Sequence, residues 1–202
     1  MSIRTSSATK LLDAAEELFF TQGIHATPVD AVIERAGVSA ATMYRGYASK
    51  EALLAATLAR RHTEWLATWD AAIARQDSRD GRVLAVFDAL DAFREHPVRA
   101  QWCAFLGSAA EYADAPAEVR EAIDTDTATL RRRLTASIAG DAMNATTRDR
   151  ELADELLLVV SGDLAMRLRD PRHTTTSARR IAATLLREHA AANPRVDRPA
   201  ST

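Results

Sequence analysis

The sequence predicts an all-α protein: a compact three-helix head, a long connecting helix and a helical body, about nine helices in all. Three observations carry that expectation. Across the 202 residues Ala, Leu, Arg and Glu dominate and β-branched runs are few. Apolar residues recur at helical spacing in each long segment. Glycine, proline and capping hydroxyls punctuate the segment ends. Apolar residues make up 47% and charged residues 27%, the balance of a globular chain able to bury a core.

The elements follow in order. Residues 1–7 read as a small polar arm carrying Arg4, with Ser6 or Ser7 as a cap. From Ala8, the positions Leu11, Leu12, Ala15, Leu18 and Phe19 form one helical stripe, and Gly23 stands where a left-handed residue ends the helix. Thr27-Pro28-Val29-Asp30 combines a capping hydroxyl, a proline suited to the first helical position and an early acid, so a second helix starts at Pro28. Its buried face is Val29, Val32, Ile33 and Ala36. Gly37 then breaks the chain, and Ser39 caps a third short helix running to about Arg45.

Beyond Gly46, Ser49 caps a helix through Leu53, Leu54, Leu58, Trp65, Leu66, Trp69 and Ile73, ending near Ser78 to Gly81. About 27 residues at ~1.5 Å each reach roughly 40 Å, enough to join two parts of the molecule. A helix from Val83 to Glu95 follows, Pro97 opens another toward Tyr112, and Pro116 starts a third that Gly140 stops. A polar loop leads to about Thr147. From Arg148 to Arg169 the run Leu156-Leu157-Leu158-Val159-Val160 is apolar around the whole helix, which one packing face does not explain. The last helix covers about Ser177 to Ala191, and residues 193–202 read as a disordered tail.

The formal charge is −2, and through residue 60 the six basic and six acidic side chains cancel. No global basic field marks a polyanionic partner, so any such surface is local. Cys103 is the single cysteine, which excludes an intrachain disulfide and fits a reducing cytoplasm. The five histidines show no metal spacing, and neither a metal nor another cofactor is expected. No apolar stretch approaches the ~20 residues that span a bilayer, and the N-terminus lacks the apolar core of a signal peptide.

The segment AGVSAATMYRGYASKEAL, together with the first helix and TPVDAVIERAG, resembles the DNA-binding head of the tetracycline-repressor-like (TetR) family of bacterial regulators. The resemblance covers about residues 8–58; beyond it only helix number and order match. It implies a helix-turn-helix DNA-binding domain over residues 1–48 and a helical effector-binding and dimerisation domain over 49–192. It also implies a homodimer on double-stranded DNA, paired through the last two helices, with a small-molecule effector bound in the body.

Position by position, the resemblance makes Thr42 and Tyr44 DNA-contacting hydroxyls and Lys50 a phosphate-contacting ammonium, groups that fix docking register. Val38 and Met43 face the head's core. Gly46 departs from the family's usual aromatic or histidine, with Arg45 as a substitute charge, Tyr47 in the place of a core Phe and Arg4 on the arm. Ala40 and Ala41 stand where readers of base edges are often polar, so they favour thymine methyls and DNA shape.

In the body, Trp65, Trp69, Phe87, Phe93, Trp102, Phe105, Tyr112 and Met166 are candidates to line a cavity for an apolar or aromatic effector, against the plainer reading of core packing. Leu156, Val160, Leu164, Ile181 and Leu185 are candidates for the dimer interface. Cys103 reads as an inert small hydrophobe rather than a thiol sensor, and Arg131-Arg132-Arg133 as a salt-bridged surface. Asp163 needs a partner such as an arginine if buried. A dimerisation or adaptor module without DNA binding is the alternative function. An all-α enzyme is disfavoured by the absence of G-x-S-x-G, H-E-x-x-H, P-loop or dinucleotide glycine motifs.

Overall fold

The computed structural model describes residues 3–95, 103–170 and 172–192. Among them the chain forms nine α-helices and no strand: α1 Thr5–Gln22, α2 Val29–Ala36, α3 Ala40–Gly46, α4 Lys50–Ile73, α5 Arg79–Arg94, α6 Ala104–Glu111, α7 Ala117–Ala139, α8 Thr147–Arg169 and α9 Thr176–Ala191. A short 3-10 turn at Ala142–Asn144 interrupts the polar loop before α8. The expected helix start at Pro97 and the 193–202 tail lie outside the described residues.

The head forms because α1 buries one stripe, Leu11, Ala14, Ala15, Phe19 and Phe20, against Val32 of α2, Met43 of α3 and Leu53, Leu54 and Leu58 of α4. Each of the large apolar side chains among these contributes about 1.5–3 kcal/mol when fully withdrawn from water. Gly37 ends α2 at φ 62°, the left-handed conformation in which a Cβ would be strained. Ser39 then caps α3 by accepting from the Thr42 N–H at 3.2 Å, and Ser49 caps α4 by accepting from Ala52 N–H at 3.0 Å.

Two expectations about the head are corrected. The arm is shorter than residues 1–7: α1 begins at Thr5, with Arg4 at its N-cap position, and Ser6 and Ser7 lie within the first turn instead of capping. Ile3 packs against the head core. Thr27 does not cap α2; its hydroxyl donates to the Gly23 carbonyl at 2.7 Å, and the side chain is fully buried. It closes the α1–α2 loop, donating back to the end of α1 and leaving α2 without a side-chain cap.

The apolar packing divides along α4. Its first half belongs to the head core, which also takes in Ala104 and Phe105 of α6 and Val119 of α7. Its second half, with Trp69 and Ala72, belongs to a body core built from α5, α7, α8 and α9. α4 stops at Ile73, earlier than expected, and α5 starts earlier, at Arg79, because Ser78 caps it by accepting from the Gly81 N–H at 3.0 Å. α8 is held at its start by a reciprocal cap in which Thr146 and Asp149 satisfy each other's backbone N–H groups.

Candidate nucleic-acid interface and body cavity

The short α3 is anchored from below and bare above. Met43 is fully buried, whereas Ala40, Ala41, Tyr44 and Arg45 are exposed on the outer side, Tyr44 by 52%. Val38 packs on the head core as expected, and Tyr47 beside it is partly buried, its phenol pushed up by burial against the opposing pull of Arg60. Thr42 is half-buried, and its hydroxyl lies 2.9 Å from Ser39 Oγ, so its polar end is engaged within the cap.

Lys50 opens α4, with its ammonium 5.8 Å from the centre of the Phe19 ring. The first-turn N–H groups of that helix favour an anion in the same place. The Gly46 departure has a steric explanation: a Cβ there would stand 2.9 Å from Ile3 Cδ1. The arm residue occupies the space that a larger side chain would fill. This also brings Arg4, exposed and adjacent to Ile3, to the α3 side of the head.

The head is tied to the body through polar contacts that the sequence did not reveal. On α4, Arg61 donates to Glu16 of α1 at 2.7 Å, with side chains only 5% and 8% exposed. Arg60 reaches Glu16 at 2.7 Å and Asp13 at 2.6 Å, and these two carboxylates hold its guanidinium pKa up against burial. At the end of α6, Glu111 accepts from the Ile24 N–H at 3.0 Å and the His25 N–H at 2.9 Å, gripping the loop between α1 and α2.

A small open cavity of about 80 Å³ lies in the body between α4, α5, α6, α7 and α8. Of the expected lining residues, Trp65, Phe93 and Phe105 are there. Trp65 and Phe93 meet edge to face with centroids 5.6 Å apart, and the Arg61 guanidinium lies 5.0 Å from the Phe93 ring centre. Leu90, Cys103, Leu130, Val160 and Leu164 add apolar wall, while Arg61, Arg94, Arg167 and Asp126 supply charge. Burial pushes the Cys103 thiol up, which keeps it protonated and fits the inert reading.

Four other lining candidates are corrected. Trp69 is fully buried in the body core, with Arg133 stacked 5.5 Å from its ring. Phe87, 1% exposed, lies in the same core, one turn of α5 away from Leu90. Tyr112 sits beyond the end of α6 against His25, centroids 4.7 Å apart. Met166 is 43% exposed on the outside of α8. Trp102 lies outside the described residues.

The interface candidates also sort by helix face. Leu156 and Val160, each 1% exposed, sit on the inward stripe of α8 with Leu152 and Asp163, so they are core residues of this chain and not an outer contact. Leu164 lines the cavity. Ile181 is 50% exposed and Leu185 half-buried on α9, and Leu158, 74% exposed, is the outward residue of the α8 apolar run. Asp163 is buried and does have an arginine, Arg167 Nη2 at 3.2 Å, with His173 Nε2 at 2.9 Å. Arg131 pairs with Asp154 and Arg133 with Asp70, as a salt-bridged surface would. Among the described residues no group of histidine, cysteine and carboxylate side chains is placed to hold a metal ion, and no helix is long and apolar enough to cross a membrane.

Comparison with known proteins falls on the same features. The family model for bacterial regulatory proteins, tetR family, matches residues 11–57, which span the stripe of α1 through the first turns of α4. Over 87 residues, 43% of this chain, the sequence is 33% identical to the HTH-type transcriptional activator FasR of Mycolicibacterium smegmatis, and the match spans 40% of that relative's length. A TetR-family transcriptional regulator from Streptomyces coelicolor superposes with a TM-score of 0.77 at 25% identity, covering 93% of this chain and 97% of that one. A transcriptional regulator from Rhodococcus shares the fold at a TM-score of 0.73 and 18% identity, covering 92% and 96%.

Proposed function

Because the chain belongs to the TetR family of bacterial regulatory proteins, we propose that it is a ligand-responsive transcriptional regulator. In this reading it binds a pseudo-palindromic DNA site as a homodimer and is released by a small-molecule effector. The observation that carries the DNA reading is the bare outer side of α3, where Ala40, Ala41, Tyr44 and Arg45 are exposed while Met43 is buried beneath them, with Lys50 opening the next helix. Phosphate contacts from these groups fix register, and Ala40 and Ala41 leave sequence preference to methyl contacts and DNA shape.

The outward residues Leu158 on α8 and Ile181 on α9, with the half-buried Leu185 beside the core, support pairing of two copies through those helices. Gating is supported by two helices that wall the cavity and also hold the head: α4 through Arg61 and Glu16, and α6 through Glu111. An occupant that displaces either helix shifts the head. Two recognition helices must sit about 34–36 Å apart to enter successive major grooves, so a small shift per head disfavours docking. Repression is the sign of regulation proposed; the match to a relative named as an activator favours activation as the second reading.

The test of DNA contact uses a fluorescently labelled random-sequence duplex at low salt. Non-specific binding also runs through phosphates, so the Tyr44→Ala/Lys50→Ala double variant is expected to lose about tenfold or more in affinity. A double variant that binds as the unmodified chain does would remove α3 and the start of α4 as the docking surface.

A further inference from the structure

The outward face of α8 carries a seam at heptad spacing. Glu151, Glu155, Leu158, Gly162, Ala165 and Arg169 are all exposed and follow one another at alternating intervals of four and three residues. That spacing keeps one seam turned toward a second helix along its whole length. On the opposite side Leu152, Leu156, Val160, Asp163 and Arg167 are buried, and Asp154 at the flank pairs with Arg131 of α7, so the seam faces away from α7 and the core. At its middle Leu158 is 74% exposed, and a Cβ built on Gly162, one turn further on, meets nothing within 4 Å. Glycine inside a helix costs about 1 kcal/mol relative to alanine, and no contact within this chain calls for it. A bare large apolar side chain next to a bare gap points to a second backbone that receives the one and enters the other.

Reversed, the seam is complementary to itself. It is symmetric about position 160, so a second, antiparallel copy brings Leu158 over the partner subunit's Gly162 and Glu151 to the partner subunit's Arg169, each contact occurring twice across the two-fold axis. Large then meets small at the centre, and opposite charges meet at both ends. Parallel copies would set Glu151 against Glu151, Glu155 against Glu155 and Arg169 against Arg169, like charges at every charged layer. Among the described residues neither Glu151 nor Arg169 has an ion-pair partner, so both are available to one. We propose that two copies of this chain pair with their α8 helices antiparallel, Leu158 of each seated against the partner subunit's Gly162 and Glu151 of each facing the partner subunit's Arg169. The exposed end pairs fix the register, while the Leu158 contacts supply the burial. The inference rests on the proposed pairing through α8 and α9, and it adds the orientation and register of α8.

Cysteine cross-linking of the full chain in a Cys103→Ala background, with diamide as oxidant, reads the register. Positions 151 and 169 lie about 27 Å apart along one helix, so they cannot bridge within a chain, and in antiparallel pairing neither reaches its own copy across the two-fold axis. Glu151→Cys/Arg169→Cys is expected to form a covalent dimer, and each single substitution to leave the chain uncross-linked. A single variant that cross-links to itself means parallel helices, and a double variant that is dimeric in light scattering yet does not cross-link means another register. Either result overturns the inference while pairing through these helices stands; an unmodified chain that is monomeric at micromolar concentration removes both. The gap at position 162 gives an independent readout. Gly162→Leu is expected to raise the dimer dissociation constant about tenfold or more with helix content retained in circular dichroism, and Leu158→Gly/Gly162→Leu, which exchanges the large and small partners across the axis, to recover most of that loss. Gly162→Leu pairing as tightly as the unmodified chain would overturn the inference as well.

Discussion

Substituting Glu16 by Gln isolates the junction between cavity and head. The carboxylate accepts from Arg61 and from Arg60, both at 2.7 Å, and is 8% exposed, while Arg61 is 5% exposed. Gln keeps the shape and one acceptor oxygen, so Arg61 or Arg60 retains a partner and the other faces an amide N–H₂. Removing one member of a buried ion pair costs about 3–5 kcal/mol, and the surviving acceptor places this case near the lower end, about 3 kcal/mol. For a chain of this size that corresponds to a fall in Tm of roughly 6–12 °C.

Asp13→Asn is the internal control, because Asp13 is 62% exposed and its bond to Arg60 is a surface ion pair worth about 0–1 kcal/mol. Urea unfolding followed by far-UV circular dichroism, at one protein concentration, measures both. If the Glu16→Gln cost is no larger than the Asp13→Asn cost, the α1–α4 clasp is not a structural joint, and the proposed route from cavity to head loses its α4 arm.

Two further outcomes follow from other parts of the fold. Burial tends to raise the Asp149 carboxyl pKa, but hydrogen bonds from Thr146 and the His189 contact outweigh it and hold the group below its ordinary value. The group therefore stabilises the fold above the unfolded-state pKa near 4, and that contribution disappears as pH falls through the lower folded value. Asp70, drawn down by Arg133, acts in the same direction. Unfolding titrations from pH 6 to pH 2.5 should show Asp149→Asn less stable than the unmodified chain at pH 6, with the gap narrowing toward pH 2.5; a constant gap would contradict the assignment. For the pairing surface, Leu158→Glu/Ile181→Glu is expected to convert a dimer to a folded monomer in light scattering, whereas Leu156→Glu should unfold the chain, because Leu156 is 1% exposed in its own core.

Local chemistry was the legible part of this chain. Gly37 and Ser39 state their roles in sequence, since a left-handed turn and an N-cap depend on residues within three positions, and both stand in the structure as read. Thr27 shows the limit of that reasoning: a hydroxyl before a proline looks like a cap, but it donates to the Gly23 carbonyl four residues back. The apolar run of α8 signalled two packing sides, yet periodicity alone did not say which side faced inward, so Leu156 and Val160 were placed outside when Leu158 is.

The charged residues of the cavity and the clasp were hidden for a different reason. Arg61 meets Glu16 across 45 positions, and Glu111 reaches Ile24 across 87, distances at which no spacing rule operates. A buried Asp163 asked only for some arginine opposite it; Arg167, four residues later on the same helix face, has the spacing of an ion pair and was the signal that could have named it. The aromatic candidates divided for want of depth information: Trp65 and Trp69 share a helix face, and one turn separates a cavity wall from solid core.

Selection of binding sites from random duplexes tests DNA recognition by this head most directly. The dimeric reading predicts enrichment of an inverted repeat whose half-site centres lie about one helical turn, or a multiple of it, apart, with enrichment lost in the Tyr44→Ala/Lys50→Ala variant. A folded dimer that enriches no sequence, or one whose enrichment survives that variant, would contradict it.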